Sequence, residues 1–242
     1  MYKDLTNSLN SLLSKVEKRI EKLDETYEEV GKNIVNISHD LRTPLTSARG
    51  YIQLAMGSKD NDEKYDMIKI ANERLSVLSE LLEQLFIYTK INDERFKLNP
   101  EELNLTDLVI EYFAEHYCDF EERNIDIEMN VDDDITIFQD RKAIINILDN
   151  AVQNILRYGK NILKVCIKNR EEAVEIVLEN ETDQEFEDIE KLKESYVTGK
   201  GFRPEGSTGL GLSIIGKHIE KMGGKYYLQY EKGKFSLIML IK

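Results

Sequence analysis

The stretch SHDLRTPLTSARGYIQL, Ser38 to Leu54, places apolar side chains at Leu41, Leu45, Ala48 and Ile52, at alternating steps of four and three. That spacing is a helix with one apolar stripe. Upstream the stripe continues through Leu5, Leu9, Leu12, Val16, Ile20, Leu23, Tyr27, Val30, Ile34 and Ile37, and downstream it ends at Ala55. So long a seam of threes and fours predicts a coiled coil. Consecutive steps of four at Leu12, Val16 and Ile20, and again at Ile37, Leu41 and Leu45, are stutters that change the supercoil locally, and Pro44 removes a backbone donor at the second. MGSKDND, 56–62, breaks the pattern with Gly57 and turn formers. A second seam through Ile68, Ala71, Leu75, Leu78, Leu82, Leu85 and Thr89 makes the unit a helical hairpin. One hairpin leaves a wide apolar stripe wet. Two hairpins cover each other as a four-helix bundle, so a homodimer is the simplest solution.

The chain has 242 residues, 41% of them apolar, enough for ordinary packed cores. Lys and Arg number 33 against 46 Asp and Glu, a net charge of −13, which repels phosphate backbones and excludes nucleic acid as a direct partner. Cys118 and Cys166 form no metal-ligand or disulfide spacing and suit a reducing cytoplasm. No apolar run approaches the roughly 20 residues that span a bilayer, and MYKDLTNSLN has no signal-peptide core. The expected location is the cytoplasm, with room for a membrane sensor segment preceding Met1 in a longer parent.

Beyond Asn99 and Pro100 the pattern changes to short strands alternating with helices. The expected elements are helix 105–121, strands 124–130 and 135–139, helix 140–157, strands 161–169 and 173–180, a polar loop over 181–207, a helix from Thr208 to Met222 and a closing hairpin around 231–233. The whole divides as a coiled-coil helix over 1–33, a dimerisation hairpin over 34–95 and an α/β domain over 96–242.

His39 is two positions from both Ile37 and Leu41, so at about 100° per residue it turns away from the seam toward solvent. Asp40 is its neighbour, and Thr43 lies one turn on along the same face. An imidazole nitrogen can act as a nucleophile near neutrality, with a carboxylate to orient the ring or take its proton. Taken alone, an exposed helical histidine is ordinary surface. SHDLRTPL, however, resembles the phosphoacceptor motif of histidine kinases at all eight positions. The resemblance implies phosphorylation of His39, proton acceptance by Asp40, and positioning of water by Thr43 when the kinase dephosphorylates its partner.

GSTGLGLSI, Gly206 to Ile214, runs from the polar loop straight into a helix, and glycines ahead of a helix N-terminus admit phosphates closely. This segment resembles the second glycine box of histidine kinase ATP-binding domains, so Gly206, Thr208, Gly209, Leu210 and Gly211 are candidates to bind ATP. DRKAIINILDNA, Asp140 to Ala151, resembles the asparagine box, with Asn146 and Asn150 one turn apart. By resemblance Asn146 holds Mg²⁺ on the phosphates and Asn150 contacts the nucleotide. YVTGK, Tyr196 to Lys200, resembles the aromatic box, and Lys200 and Arg203 are candidates to meet the γ-phosphate. The implied fold is the α/β sandwich shared with gyrase, Hsp90 and MutL.

Two departures stand out. Where the family places Lys or His and then Tyr after the asparagine box, this chain has Gln153 and Asn154, or Arg157 and Tyr158 after a short insertion. The adenine-binding DxGxG is replaced by Asn180, Thr182 and Gln184. An amide oxygen still accepts from an amino group, more weakly than a carboxylate, and losing the glycines would stiffen the hinge. The resemblance thus implies ATP-dependent autophosphorylation of His39 and relay to an aspartate on a response regulator receiver domain. The alternative is a catalytically degenerate dimeric scaffold or phosphatase; a gyrase-type ATPase would lack the hairpin and its SHDLRTPL.

Overall fold

The computed structural model describes residues 36–93, 95–186, 188–193 and 209–242. Two compact units divide the chain, Met1–Arg74 and Leu75–Lys242. The coiled coil expected over 1–33 lies outside the described residues, as do Tyr196, Lys200, Arg203, Gly206 and Thr208.

In the first unit a helix described over 36–57 (α1) meets the start of a second, Asn61–Asn92 (α2). The turn is set by Asp60, whose Oδ1 accepts from the backbone N–H groups of Asp62 and Glu63, and by a 3.0 Å bond from the Ser58 hydroxyl to Glu63. These bonds satisfy donors that a helix start leaves orphaned. Along α1 only the small members of the seam, Ala48 and Ala55, are buried together with Pro44, whereas Leu45 and Ile52 protrude. Ala71 is likewise buried on α2 and Ile68 exposed. Small side chains sit where helices approach closely, and the large ones form a separate, uncovered stripe.

The second unit, beyond α2, contains β1 (Glu101–Asn104), α3 (Leu105–Glu115), α4 (Tyr117–Glu122), β2 (Ile125–Val131), β3 (Thr136–Gln139), α5 (Arg141–Tyr158), β4 (Lys160–Asn169), β5 (Val174–Glu181), a 3₁₀ turn Ile189–Lys193, α6 (Gly211–Lys221), β6 (Lys225–Glu231) and β7 (Lys234–Ile241). A five-stranded sheet runs β2-β4-β5-β7-β6, parallel only between β2 and β4, and β1 pairs with β3 in a small antiparallel sheet. Alternation along β4 and β5 buries Leu163, Val165, Ile167, Ile176 and Leu178 on one face. There they meet Ile147 and Leu148 of α5 and Ile215 and Ile219 of α6 in one core. The helix expected at 105–121 is broken at His116, which caps α3 with its N–H on the Tyr112 carbonyl and leads into α4. β1 and the 3₁₀ turn are additions to the expected elements.

Candidate functional site

His39 stands on α1 with its side chain 77% exposed, its Nδ1 3.8 Å from Asp40 Oδ1. That separation is longer than a hydrogen bond and short enough for the carboxylate to act on the ring electrostatically. Thr43 lies one turn on, its hydroxyl donating to the His39 carbonyl at 3.2 Å. His39 and Thr43 therefore share one exposed face of α1, with the largely covered Asp40 side chain beside it.

In the second unit, α5 begins where Asp140 Oδ1 accepts from the Ala143 N–H at 3.1 Å and Oδ2 accepts from the Asn99 N–H at 2.8 Å. This cap fixes the helix start, and the 3.6-residue period then turns Asn150, Gln153, Asn154 and Arg157 toward a cleft of about 980 Å³ that is open to solvent. Its other walls come from Leu178, Asn180, Thr182 and Gln184 on and after β5, Phe235 and Leu237 on β7, and Gly209, Gly211 and Leu212 at the start of α6.

Asn150 is buried and its Nδ2 donates to the Asn146 carbonyl at 2.7 Å, while its Oδ1 has no partner among the described residues. A buried acceptor without a donor is costly, and a ligand supplies the missing group. Where Gly211 begins α6, a side chain would meet Asn154 Nδ2 at 3.3 Å and Asn150 Oδ1 at 3.4 Å, so glycine is what lets the two amides approach the helix start. Gly209 has φ +68°, a conformation glycine adopts without strain. Leu210, at the N-cap of α6, makes no side-chain cap bond, and the N-terminal end of a helix favours an anion. Leu210 is buried behind this turn, and Asn146 is half-buried one turn before Asn150, off the cleft wall.

Asn180 is buried, and its Nδ2 donates to the Glu181 carbonyl at 2.9 Å, which orients the amide with Oδ1 as its remaining acceptor. The missing glycines cost no strain: positive φ occurs among the described non-glycine residues at Asn124, Asp134, Asn161 and Lys232, and not at Thr182 or Gln184. The Thr182 N–H donates to the Gly233 carbonyl at 2.8 Å, and its hydroxyl accepts from the Gln184 N–H at 3.2 Å. Threonine closes the turn by itself. Of the two residue pairs weighed after the asparagine box, all four, Gln153, Asn154, Arg157 and Tyr158, line the cleft. The sequence reading missed the apolar floor of Leu178, Phe186, Phe235 and Leu237, and Gln84 of α2. Alternation marks Leu178 and Leu237 as core, and only the β5–β7 register, which sets Phe235 opposite Asn180, turns Phe235 into a cleft residue.

Residues 29–94 match the His Kinase A (phospho-acceptor) domain, and residues 139–241 match the Histidine kinase-, DNA gyrase B-, and HSP90-like ATPase domain. Sensor histidine kinase YcbM of Bacillus subtilis is 24% identical across 98% of this chain and 80% of its own length. Sporulation kinase E of the same organism is 28% identical across 97% of this chain but only 30% of its own. For sensor histidine kinase WalK of Bacillus subtilis the figures are 27%, 90% and 37%, so the chain spans a minor part of these two relatives. Among solved structures, histidine kinase ThkA in complex with response regulator protein TrrA superposes with a TM-score of 0.71 at 25% identity, over 90% of this chain and 63% of that one. Histidine kinase AdeS of Acinetobacter baumannii, at 21% identity and a TM-score of 0.70, shares the fold over 84% of this chain and 97% of its own.

Proposed function

The chain belongs to the sensor histidine kinases of two-component signalling, and on that premise we propose that it transfers the γ-phosphoryl group of ATP to His39 and relays it to an aspartate on a response regulator receiver domain. The observation that carries this is one chain holding an exposed imidazole with a carboxylate 3.8 Å from its Nδ1 and a cleft walled by the glycine-led start of α6 and an Asn150 oxygen that has no partner among the described residues.

In the proposed step the Nε2 lone pair of His39 forms the N–P bond as the bond from the γ-phosphorus to the β,γ-bridging oxygen breaks. ADP leaves with that electron pair, and Asp40 draws the Nδ1 proton. Asn180 Oδ1 accepts from the adenine amino group, and Gly209, Leu210 and Gly211 bring the α6 N-terminus to the phosphates. Tyr196, Lys200, Arg203, Gly206 and Thr208 keep their proposed nucleotide roles from the motifs. The site fits Mg²⁺ on the chemistry of its donors: amide oxygens are hard neutral ligands, and Asn150 Oδ1 is buried without a donor. Asn146 would hold the ion, which supplies charge neutralisation on the triphosphate, and Asn150 would contact the nucleotide. Thr43, with its hydroxyl on the acceptor face, would position water for dephosphorylation of the partner. The protein acts as a homodimer, and an upstream membrane sensor would supply the stimulus in a longer parent. No helix among the described residues is long and apolar enough to cross a membrane.

Incubation with γ-labelled ATP and Mg²⁺ tests the proposal. Wild type should gain acid-labile, alkali-stable label, and His39→Gln and Asn146→Ala should gain none; label persisting in His39→Gln overturns the acceptor assignment. The scaffold or phosphatase reading is favoured by Asn180 alone, since the turn at 182–184 is unstrained. If wild type neither binds ATP nor becomes labelled while Asn180→Asp recovers both, that second reading takes precedence.

A further inference from the structure

Glycine weakens a helix interior, because it has the most backbone freedom to lose. α6 nevertheless buries one, Gly216, in its middle. A Cβ there would stand 2.8 Å from Cε1 and from the hydroxyl oxygen of Tyr226, closer than such atoms pack. The missing side chain is therefore a notch, and the Tyr226 ring, reaching over from β6, fills it. Lys193 Nζ lies over the same ring, 5.1 Å from its centroid. The Lys193 side chain is only 24% exposed and donates to Glu190 at 2.6 Å, so its ammonium is held in place there. Both residues belong to the 3₁₀ turn Ile189–Lys193, which packs on α6 and β6 and sets the buried Leu192 in the cleft wall. Tyr230, four residues on along the same face of β6, meets Phe186, another wall residue, edge-on at 5.0 Å. Among the described residues none of β6 lines the cleft itself. Whatever β6 does for the cleft passes through the residues it holds.

We propose that Tyr226 is a positioning residue for the cleft: seated in the Gly216 notch, it holds through Lys193 the turn that brings Leu192 to the wall. The inference rests on the nucleotide reading above and adds to it a residue that touches no ligand. Burial pushes the Tyr226 hydroxyl up to about 12, with Glu220 and Glu190 adding to the shift, so the ring is neutral at working pH. A phenyl ring offers the same face to the ammonium and serves equally. Gly216→Ala separates positioning from plain packing. Alanine favours the helix, and the end of a tyrosine ring is the group that yields to the new methyl, so the substitution moves the ring off Lys193 at little cost to the fold.

The experiment is calorimetric titration of the full chain with ATP in Mg²⁺, beside urea unfolding and hydrogen exchange over 189–193 without nucleotide, for wild type, Gly216→Ala, Tyr226→Ala and Tyr226→Phe. Gly216→Ala should keep the urea midpoint near wild type, speed exchange over the turn and weaken ATP binding roughly fivefold. Tyr226→Ala should weaken it roughly tenfold, and Tyr226→Phe should stay within about twofold of wild type. Unchanged ATP affinity in either Gly216→Ala or Tyr226→Ala overturns the inference. Lost affinity with unaltered exchange over the turn overturns it too, because the turn would not have moved, and so does a loss in Tyr226→Phe as large as in Tyr226→Ala. If Tyr226→Ala fails to fold, Lys193→Gln decides, since it removes the cation alone: ATP binding weaker by about threefold supports the inference and unchanged binding overturns it. Wild type that does not bind ATP overturns the nucleotide reading and this inference with it, whereas wild type that binds ATP no better than Gly216→Ala overturns the inference alone.

Discussion

His218 is a buried residue that phosphoryl transfer does not use. It lies on α6, 2% exposed, and neither ring nitrogen has a partner among the described residues. Burial depresses its pKa from 6.5 to about 4; Asp140 pulls the other way and Lys221 adds to the depression. The folded protein thus holds the ring neutral where the unfolded chain would protonate it. Its contribution is complete above pH 6.5 and is lost as pH falls through that window toward 4, at about 1.4 kcal/mol per pH unit. Denaturant titrations from pH 7 to 4.5 should show this slope, and His218→Leu should flatten it; equal slopes in both proteins would remove His218 as the cause. The exposed counterpart, His39, was legible because period and motif agreed about its face. Sequence gave no sign that His218 would be starved of partners, since that depends on what α6 packs against.

At the scale of elements, α5 carries most of the site, and its start is the place to test it. Asp140 bonds the Ala143 N–H with one oxygen and the Asn99 N–H with the other, tying the helix to the segment leading into β1. Asp140→Ala should lower stability by about 1–2 kcal/mol, the usual worth of an N-cap, measured by urea unfolding. A loss within error of zero would mean water replaces both bonds. The DRKAIINILDNA pattern predicted this helix to within a residue because cap, period and length agree. The same reasoning ran straight through His116, where no glycine or proline marks the break. There Tyr112 packs its ring on His116 at 4.4 Å and its hydroxyl donates to Asp149 on α5, so tertiary contacts end α3. β1 was missed for a similar reason: EELN has no strand alternation of its own and becomes a strand by pairing with β3.

For the whole molecule the unspent feature is the apolar stripe that the single chain leaves uncovered. α1 exposes Leu45, Ile52 and Met56, and α2 exposes Ile68, Leu75, Leu82 and Phe86. The periodicity named Leu45, Ile52, Ile68, Leu75 and Leu82 as seam but could not divide the seam into residues covered within the chain and residues left for a second copy. The buried seam members are Ala48, Ala55 and Ala71, while Leu45, Ile52, Ile68, Leu75 and Leu82 are exposed. Large apolar side chains kept in water forgo about 1.5–3 kcal/mol each, and a row of them along a helix marks an association surface. A second copy presenting the same stripe covers it isologously. Sedimentation equilibrium of the full chain should therefore give a dimer mass at micromolar concentration. Leu45→Glu and Leu82→Glu should each shift it toward monomer by setting carboxylates against each other across the symmetric contact, while ATP affinity stays unchanged, since neither residue lines the cleft. A monomeric mass for wild type overturns the dimer. A dimer that survives both substitutions places the contact elsewhere on the chain.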